Sequence, residues 1–354
     1  MQIKSHEPAV IVGGGIAGLA VAVNLARNGF ESVIVERRSH IGGNVRQWAC
    51  TAVDQCLRCF CCRVEDLVDE VRSSDKVTVL GERELGSIEN WNDSHGDVVV
   101  RSPADGAEET IAASSLVLAT GFEPYDPTEK IFWGYGRLDG VLTLVDLNAL
   151  VRRDETASLQ SGVEEPVRLA FFQCVGSRDR SVNADYCSRH CCKSALRMAL
   201  RLKHEYQDWE ITVFYIDLQV AGKFAGRLLS EAEERGIRLI QGVPGEILEG
   251  PNKTLEVIRE ENRRNVRESF HKIILSVGQR APSDMSGLAE RTGIPLDEFG
   301  FAASVDAFDS GATGRRGIYA VGACSGPKDI EQTLHQAGKT ASLVMAGLLK
   351  GVAQ

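Results

Sequence analysis

The chain has 354 residues, 43% hydrophobic and 25% charged, with a formal net charge of −9. That length accommodates two domains with cores of their own, and the acidic balance excludes the basic face that a nucleic-acid-binding protein needs. Ten cysteines follow an N-terminus that does not read as an export signal. The sequence therefore predicts a cytoplasmic protein whose thiols bind metal or do redox chemistry rather than staple the fold.

The first elements have a dinucleotide-binding layout. "PAVIVGGGIAGLAVAVNLARNGFESVIVERR" predicts a strand from Ala9 to Val12, a turn Gly13-x-Gly15-x-x-Gly18, a helix to about Asn28, and a second strand, Ser32 to Val35, ending at Glu36. Gly13 permits the tight turn, Gly15 lets the backbone approach a pyrophosphate, and Gly18 allows close helix–strand packing. The helix start, with Ile16 and Ala17, offers free N–H groups to the phosphates. Glu36, followed by Arg37, is placed to bind ribose hydroxyls. The apolar run has the length of a membrane span, but its four glycines sit where a strand must turn into a helix, so it reads as soluble core.

"SHIGGN" then supplies a second glycine pair, with Gly43 and Asn44 at its end. Five cysteines follow in "WACTAVDQCLRCFCC" (Cys50, Cys56, Cys59, Cys61 and Cys62). Three readings stay open for them: packing, a redox or interface pair, or a second metal site. "SSLVLATGFEP" predicts a strand ending in Ala119, Thr120 and Gly121, and "RRDETASLQSGVEE", Arg152 to Glu165, reads as a linker.

A second nucleotide fold is expected next: a strand from Val167 to Gln173, a helix from Ser188 to about His204, then strands in "ITVFYI" and "KIILSVG", with "ENRRNVRE" a charged turn between them. Its phosphate-binding loop is missing. "CVGSRDRSVNADYCSRHCC" has a single glycine and cannot bring backbone close to a pyrophosphate, so no nicotinamide nucleotide is expected there.

Cysteines occupy that place. Cys174 enters from the strand end, Cys187 and Cys191 are four apart and expected on one helix face, and Cys192 takes the adjacent position. Four convergent thiolates suit an iron–sulfur cluster or a tetrahedral zinc. The neighbours Cys191 and Cys192 fit the separated corners of a cube better than one ion. His190 reads as polar filler or as a hydrogen-bonding neighbour of a ligand. Lys193 and Arg197 read as charges that offset a reduced cluster or, more plainly, as a solvated helix face.

At the C-terminus "RGIYAVGACSGP" predicts a strand running into Gly322 and Ala323, with Cys324 as packing. A long helix starts at Ile330 just after Lys328 and Asp329, its N-terminus favouring negative charge on a ligand. No Ser/His/Asp or paired-carboxylate constellation offers catalytic residues.

The two glycine motifs, the Ala119-Thr120-Gly121 strand end and the C-terminal "VGAC" resemble the two-dinucleotide-domain flavoproteins of the thioredoxin reductase and glutathione reductase superfamily. The resemblance implies an α/β fold with FAD on a discontinuous domain, residues 1–150 and 281–354, and an inserted domain, residues 151–280. That family usually has an Asp after the last glycine to bind the flavin's ribityl chain. Ala323 stands there, so the contact must come from elsewhere.

"FFQCVGSRD…YCSRHCCKSA" together with "GPKDIEQTLHQA" resembles the HdrA family of heterodisulfide reductase, in the short form of the sulfur-oxidisers' related complex or of the quinone-interacting oxidoreductase of sulfate reducers. That resemblance implies a [4Fe-4S] cluster on Cys174, Cys187, Cys191 and Cys192, a homodimer, and partners resembling HdrB and HdrC that carry out disulfide or sulfane-sulfur chemistry. The chain would store and relay their electrons. Two rivals remain: a stand-alone pyridine-nucleotide–disulfide oxidoreductase using a dithiol within residues 50–62, and a zinc-stapled FAD-binding scaffold.

Overall fold

The computed structural model describes residues 7–93, 95–306 and 308–351. In chain order β1 (Ala9–Val12), α1 (Ile16–Arg27), β2 (Ser32–Glu36), α2 (Arg63–Ser73) and β3 (Val77–Gly81) come first. They are followed by β4 (Glu84–Glu89), β5 (Gly96–Arg101), β6 (Glu108–Ala113), β7 (Ser115–Leu118) and the short β8 (Glu123–Pro124). Next are β9 (Val141–Thr143), α3 (Leu144–Arg152), β10 (Arg168–Val175), α4 (Cys191–Glu205), β11 (Glu210–Tyr215), α5 (Ala225–Glu234) and β12 (Arg238–Gln241). The hairpin strands β13 (Glu246–Glu249), β14 (Leu255–Glu261) and β15 (Arg264–Phe270) precede β16 (Lys272–Val277) and the short β17 (Gln279–Arg280). Last are α6 (Met285–Thr292), β18 (Ile318–Ala320) and α7 (Ile330–Gly351).

Two compact units result. The first contains the described chain up to Arg46, then Phe60–Glu123, then the chain from Arg280 onward. Its central sheet is parallel, in the order β18-β7-β1-β2-β3, with Ala9 opposite both Ser32 and Ser115. Strands buried on both faces need apolar side chains in succession, which is what β1 supplies. Helix α1 is apolar on nearly every side because it packs against β1 and β2 and is covered by α7 and α2. The long apolar N-terminal run is thus core. No helix among the described residues is long and apolar enough to cross a membrane.

The second unit consists of Gln47–Cys59 and Pro124–Gln279. Its parallel sheet has the order β12-β11-β10-β16-β9. Alternation along β10 sends Leu169 and Phe171 into one core with Leu196 and Trp209, and Ala170 and Phe172 into another with Trp133 and Phe270. The charged "ENRRNVRE" is the tip of the β14–β15 hairpin, where Asn262 and Arg263 have φ of 50° and 62°, the double left-handed geometry of a two-residue hairpin turn.

Three expectations are corrected. The sequence places residues 47–59 and 124–150 with the first domain, but they pack with the second unit. Arg197 donates to the carbonyls of Leu57 and Arg58, each at 2.9 Å, and Trp133, Val141 and Leu147 join that unit's cores. The expected linker, Arg152 to Glu165, is a folded turn with Thr156 and Leu159 buried. Helix α4 begins at Cys191 rather than Ser188.

His271, 7% exposed, accepts from Arg168 N through Nδ1 at 2.9 Å, and its Nε2 lies 3.1 Å from Glu165. Burial first, then the Arg168 charge, holds its pKa below the ordinary value. The folded state therefore keeps a neutral ring while the unfolded chain takes up a proton near pH 6.5. This contribution to stability is complete above about pH 6.5 and is lost as the pH falls through the lowered folded value. Ordinary carboxylates titrate nearer pH 4, outside that window. Urea midpoints should thus decline from pH 7 to 5.5 in the wild type and flatten in His271→Asn. Equal slopes in the two proteins would remove His271 from the account.

Candidate functional site: a glycine cradle and a four-cysteine recess

In the first unit the β1–α1 turn is built by close backbone approach. A Cβ on Gly13, whose φ is +109°, would meet Ala119 O at 2.4 Å, and one on Gly18 would lie 2.1 Å from Gly13 O. The second glycine pair faces the first: Gly42 N donates to Gly14 O at 2.7 Å, and a Cβ on Gly43 would come within 2.8 Å of Gly15 Cα. Ile16 and Ala17 open α1 and are buried, and Gly322 sits against Ala17. The surface left at this junction is bare main chain, the material of a phosphate cradle.

Glu36 is buried, and its carboxylate accepts from Gly14 N at 2.8 Å and from Arg38 N at 2.9 Å. It thereby ties the glycine turn to the end of β2, and each oxygen retains a lone pair for a hydroxyl. Arg37 points outward and pairs with Asp284 at 3.3 Å. Asn44 is half-buried, with Nδ2 3.5 Å from Phe122 O. Ala119 is buried at the end of β7, Gly121 has φ of +80°, and Thr120 Oγ1 is buried without a protein partner among the described residues. A buried hydroxyl left unpaired is costly, so this one is a natural contact for a bound polar group.

In the C-terminal segment of this unit Ala323 and Ile330 are buried. Asp329 and Gln332 cap α7 reciprocally, through Gln332 N to Asp329 Oδ1 at 2.8 Å and Asp329 N to Gln332 Oε1 at 3.2 Å. Lys328 is buried, with Nζ 3.2 Å from Ser325 Oγ and 3.5 Å from Asp309. Gln336 was not singled out in the sequence: its Oε1 accepts from Gly322 N at 2.7 Å and its Nε2 donates to Asp309 at 2.7 Å, which sets the turn after β18. Burial holds the Cys324 thiol above its ordinary pKa, and its Sγ donates to Leu118 O at 3.3 Å, in keeping with a packing role.

In the second unit Cys174, Cys187, Cys191 and Cys192 line one small solvent-open recess, together with Ser177, Arg178, Ser188, Arg189, Asp217 and Gln219. Cys174 stands at a break in β10's register with φ of +63°. The loop then folds back on itself through Arg178 N to Tyr186 O and Asp179 N to Ala184 O, both 2.8 Å, returning Cys187 to the strand end. Cys187 lies before α4, so it and Cys191 do not share a helix face as the spacing had implied; the loop brings them together instead.

Cys191 and Cys192 occupy the first turn of α4 and are each 6% exposed. Burial first, then repulsion from Cys192, pushes the Cys174 thiol up to about 12, with Arg178 pulling the other way. Burial and the charges of Cys192, Cys174 and Cys187 raise Cys191 well above its ordinary value. Thiols so placed ionise only against a compensating cation. Among the described residues, no three His, Cys, Asp or Glu side chains converge closely enough to hold a single metal ion.

His190 Nε2 is 3.8 Å from Cys191 Sγ, so this histidine does neighbour a recess sulfur. Lys193 is buried and Arg197 pins the 47–59 segment, which corrects the reading of both as a solvated face. Cys50, Cys56 and Cys59 lie on that segment and Cys61 and Cys62 in the first unit.

Residues 11–70 match the NAD(P)-binding Rossmann-like domain family. Over 99% of its length the chain is 25% identical to HdrA of the H(2):CoB-CoM heterodisulfide,ferredoxin reductase of Methanothermobacter thermautotrophicus. It is 26% identical, also over 99%, to the iron-sulfur HdrA protein of the CoB--CoM heterodisulfide reductase of Methanocaldococcus jannaschii. It spans 65% of the length of each of these relatives. Among solved structures, T. acidophilum thioredoxin reductase superposes with a TM-score of 0.61 at 18% identity, covering 99% of this chain and all of that one. Lactococcus lactis thioredoxin reductase gives 0.58 at 19%, covering 98% of this chain and all of its own. The chain is a homologue of HdrA, the heterodisulfide reductase protein of these methanogens, built on the α/β fold of the thioredoxin-reductase-like disulfide oxidoreductases.

Proposed function

We propose that the chain is the FAD- and [4Fe-4S]-bearing electron-transfer component of a heterodisulfide-reductase-like oxidoreductase. The observation that carries this reading is the placement of four cysteines in one recess at the start of α4, in the position where a nucleotide-binding loop would otherwise stand. Four thiols that line one recess supply the number and kind of ligands that an iron–sulfur cluster takes. One of the relatives is itself named an iron-sulfur protein of its complex.

When bound, FAD supplies two-electron chemistry and the cluster one-electron chemistry. The residues have defined tasks. Gly13, Gly15, Gly18 and Gly43, with the N–H groups at Ile16 and Ala17, present bare backbone to a pyrophosphate, and Glu36 offers its remaining lone pairs to a ribose. Arg37 and Asn44 border this cradle. Ala119, Thr120 and Gly121, and across the later segment Gly322, Ala323, Lys328, Asp329 and Ile330, would enclose the flavin end, with the α7 N-terminus favouring negative charge there. Cys174, Cys187, Cys191 and Cys192 would ligate the cluster.

The chain then takes up electrons in pairs and passes them singly to partners resembling HdrB and HdrC, which carry the disulfide or sulfane-sulfur chemistry. A cytoplasmic homodimer working in sulfur oxidation completes the reading.

Iron, acid-labile sulfide, zinc and FAD are to be measured in anaerobically purified protein. About four iron and four sulfide per flavin are expected. Stoichiometric zinc would favour the stapled scaffold. No iron after reconstitution, with flavin bleached rapidly by NADH, would favour the stand-alone disulfide reductase.

A further inference from the structure

The cysteine recess has an ion pair built into its wall. Arg178 and Asp217 both line it, and the guanidinium donates through Nη1 to the carboxylate. Asp217 sits two residues past the end of β11, the strand that pairs with β10. Its carboxylate also takes a hydrogen bond from Gln219. Arg178 holds an uncommon backbone conformation, φ +55°, four residues after Cys174 at φ +63°. Two non-glycine residues in the left-handed region so close together persist only where the surroundings enforce them. What that geometry achieves is to turn the Arg178 side chain inward: only 28% of it is exposed, and its charge acts on both Cys174 and Cys187. The N-terminus of α4, which lacks a side-chain cap, adds positive character from the side of Cys191 and Cys192.

We propose that Arg178, held by Asp217, is a positioning residue that sets the reduction potential of the redox centre in the cysteine recess. The inference rests on the cluster reading given above. A fixed positive charge beside a centre that gains an electron stabilises the reduced state, and a partly buried one is screened less than a surface charge. Asp217 has two opposed effects. It anchors the guanidinium, and its own negative charge offsets part of the guanidinium's. Arg189 also lines the recess, but it is exposed and serves as the screened control.

The test is an anaerobic redox titration of the full chain with both cofactors, followed by electron paramagnetic resonance, with iron measured in parallel. Arg178→Gln is expected to keep its iron and to lower the reduced-to-oxidised ratio at a fixed poise by about tenfold, some 59 mV for a one-electron couple. Asp217→Asn, which removes a negative charge, should move the midpoint the opposite way. Arg178→Lys and Arg189→Gln should stay near the wild type. If Arg178→Gln loses iron while Arg178→Lys retains it, the charge holds the anionic ligand set rather than setting its potential, and the assignment is overturned. Loss of iron from both Arg178 variants would reduce the residue to a brace for the loop and overturn it. So would full iron with an unmoved midpoint in Arg178→Gln. Absence of iron from the wild type would instead overturn the cluster reading, and this inference with it.

Discussion

Replacing Cys191 with alanine is expected to give protein with wild-type flavin content and no stable iron. Cys191 lies in the first turn of α4, 6% exposed, and its Sγ has two long contacts, to Val277 O at 3.7 Å and to His190 Nε2 at 3.8 Å. Burial beside three further cysteines raises its pKa well above the ordinary value, against a smaller lowering contribution from a backbone hydrogen bond. Ligation is the role that such a group can fill. The substitution removes one small atom from a helix that alanine favours, so the second unit should melt within a few degrees of wild-type protein stripped of its metal. The flavin cradle lies wholly in the other unit. Cys187→Ala makes a useful companion, because Cys187 reaches the recess from the loop rather than from the helix. Iron and acid-labile sulfide content are the readouts, and unchanged iron in Cys191→Ala would sink the ligand assignment.

The opening β1–α1–β2 unit was legible in the sequence almost residue for residue. β1 spans Ala9–Val12, and α1 and β2 end within a residue of their expected limits, because glycine spacing and apolar runs are local signals. The start of α4 was not legible. Ser188 reads as the first residue of the helix, yet its Oγ accepts from Gln279 N at 2.9 Å, and Arg189 has φ of +62°, which a helix cannot contain. The packing of residues 47–59 depends on partners more than a hundred residues away, such as Arg197 with Leu57 and Arg201 with the Cys50 carbonyl. No period or motif announces contacts of that kind. Arg178 and Asp217 were missed for the same reason: a guanidinium and a carboxylate 39 residues apart look like ordinary surface charges until the left-handed turn at Arg178 aims one at the other.

Gly18→Ala is expected to abolish flavin binding and to destabilise the first unit by about 3 kcal/mol. The added Cβ would lie 2.1 Å from Gly13 O and 3.1 Å from Ile11 Cγ2. The first of these atoms is main chain, in a turn already fixed by Gly13 N donating to Val35 O at 2.8 Å, so it has nowhere to retreat. Relief requires α1 to move off β1, and that movement opens the junction at which Gly15, Gly43 and Gly322 nearly touch their neighbours. Gly226→Ala in α5 is the matched control. Its Cβ meets nothing within 4 Å, and in a helix the exchange should stabilise by about 0.5–1 kcal/mol. Thermal melts and flavin absorbance distinguish the two substitutions. A Gly18→Ala protein that melts like the wild type would show slack between helix and turn. If it also kept its flavin, the glycine triplet would have lost its meaning as a phosphate cradle. The informative comparison is with Cys191→Ala: Gly18→Ala should lose flavin and keep whatever iron the second unit holds, and Cys191→Ala should do the reverse. That reciprocal pattern is what two cofactors on two separately packed units require, and a shared loss in both variants would contradict it.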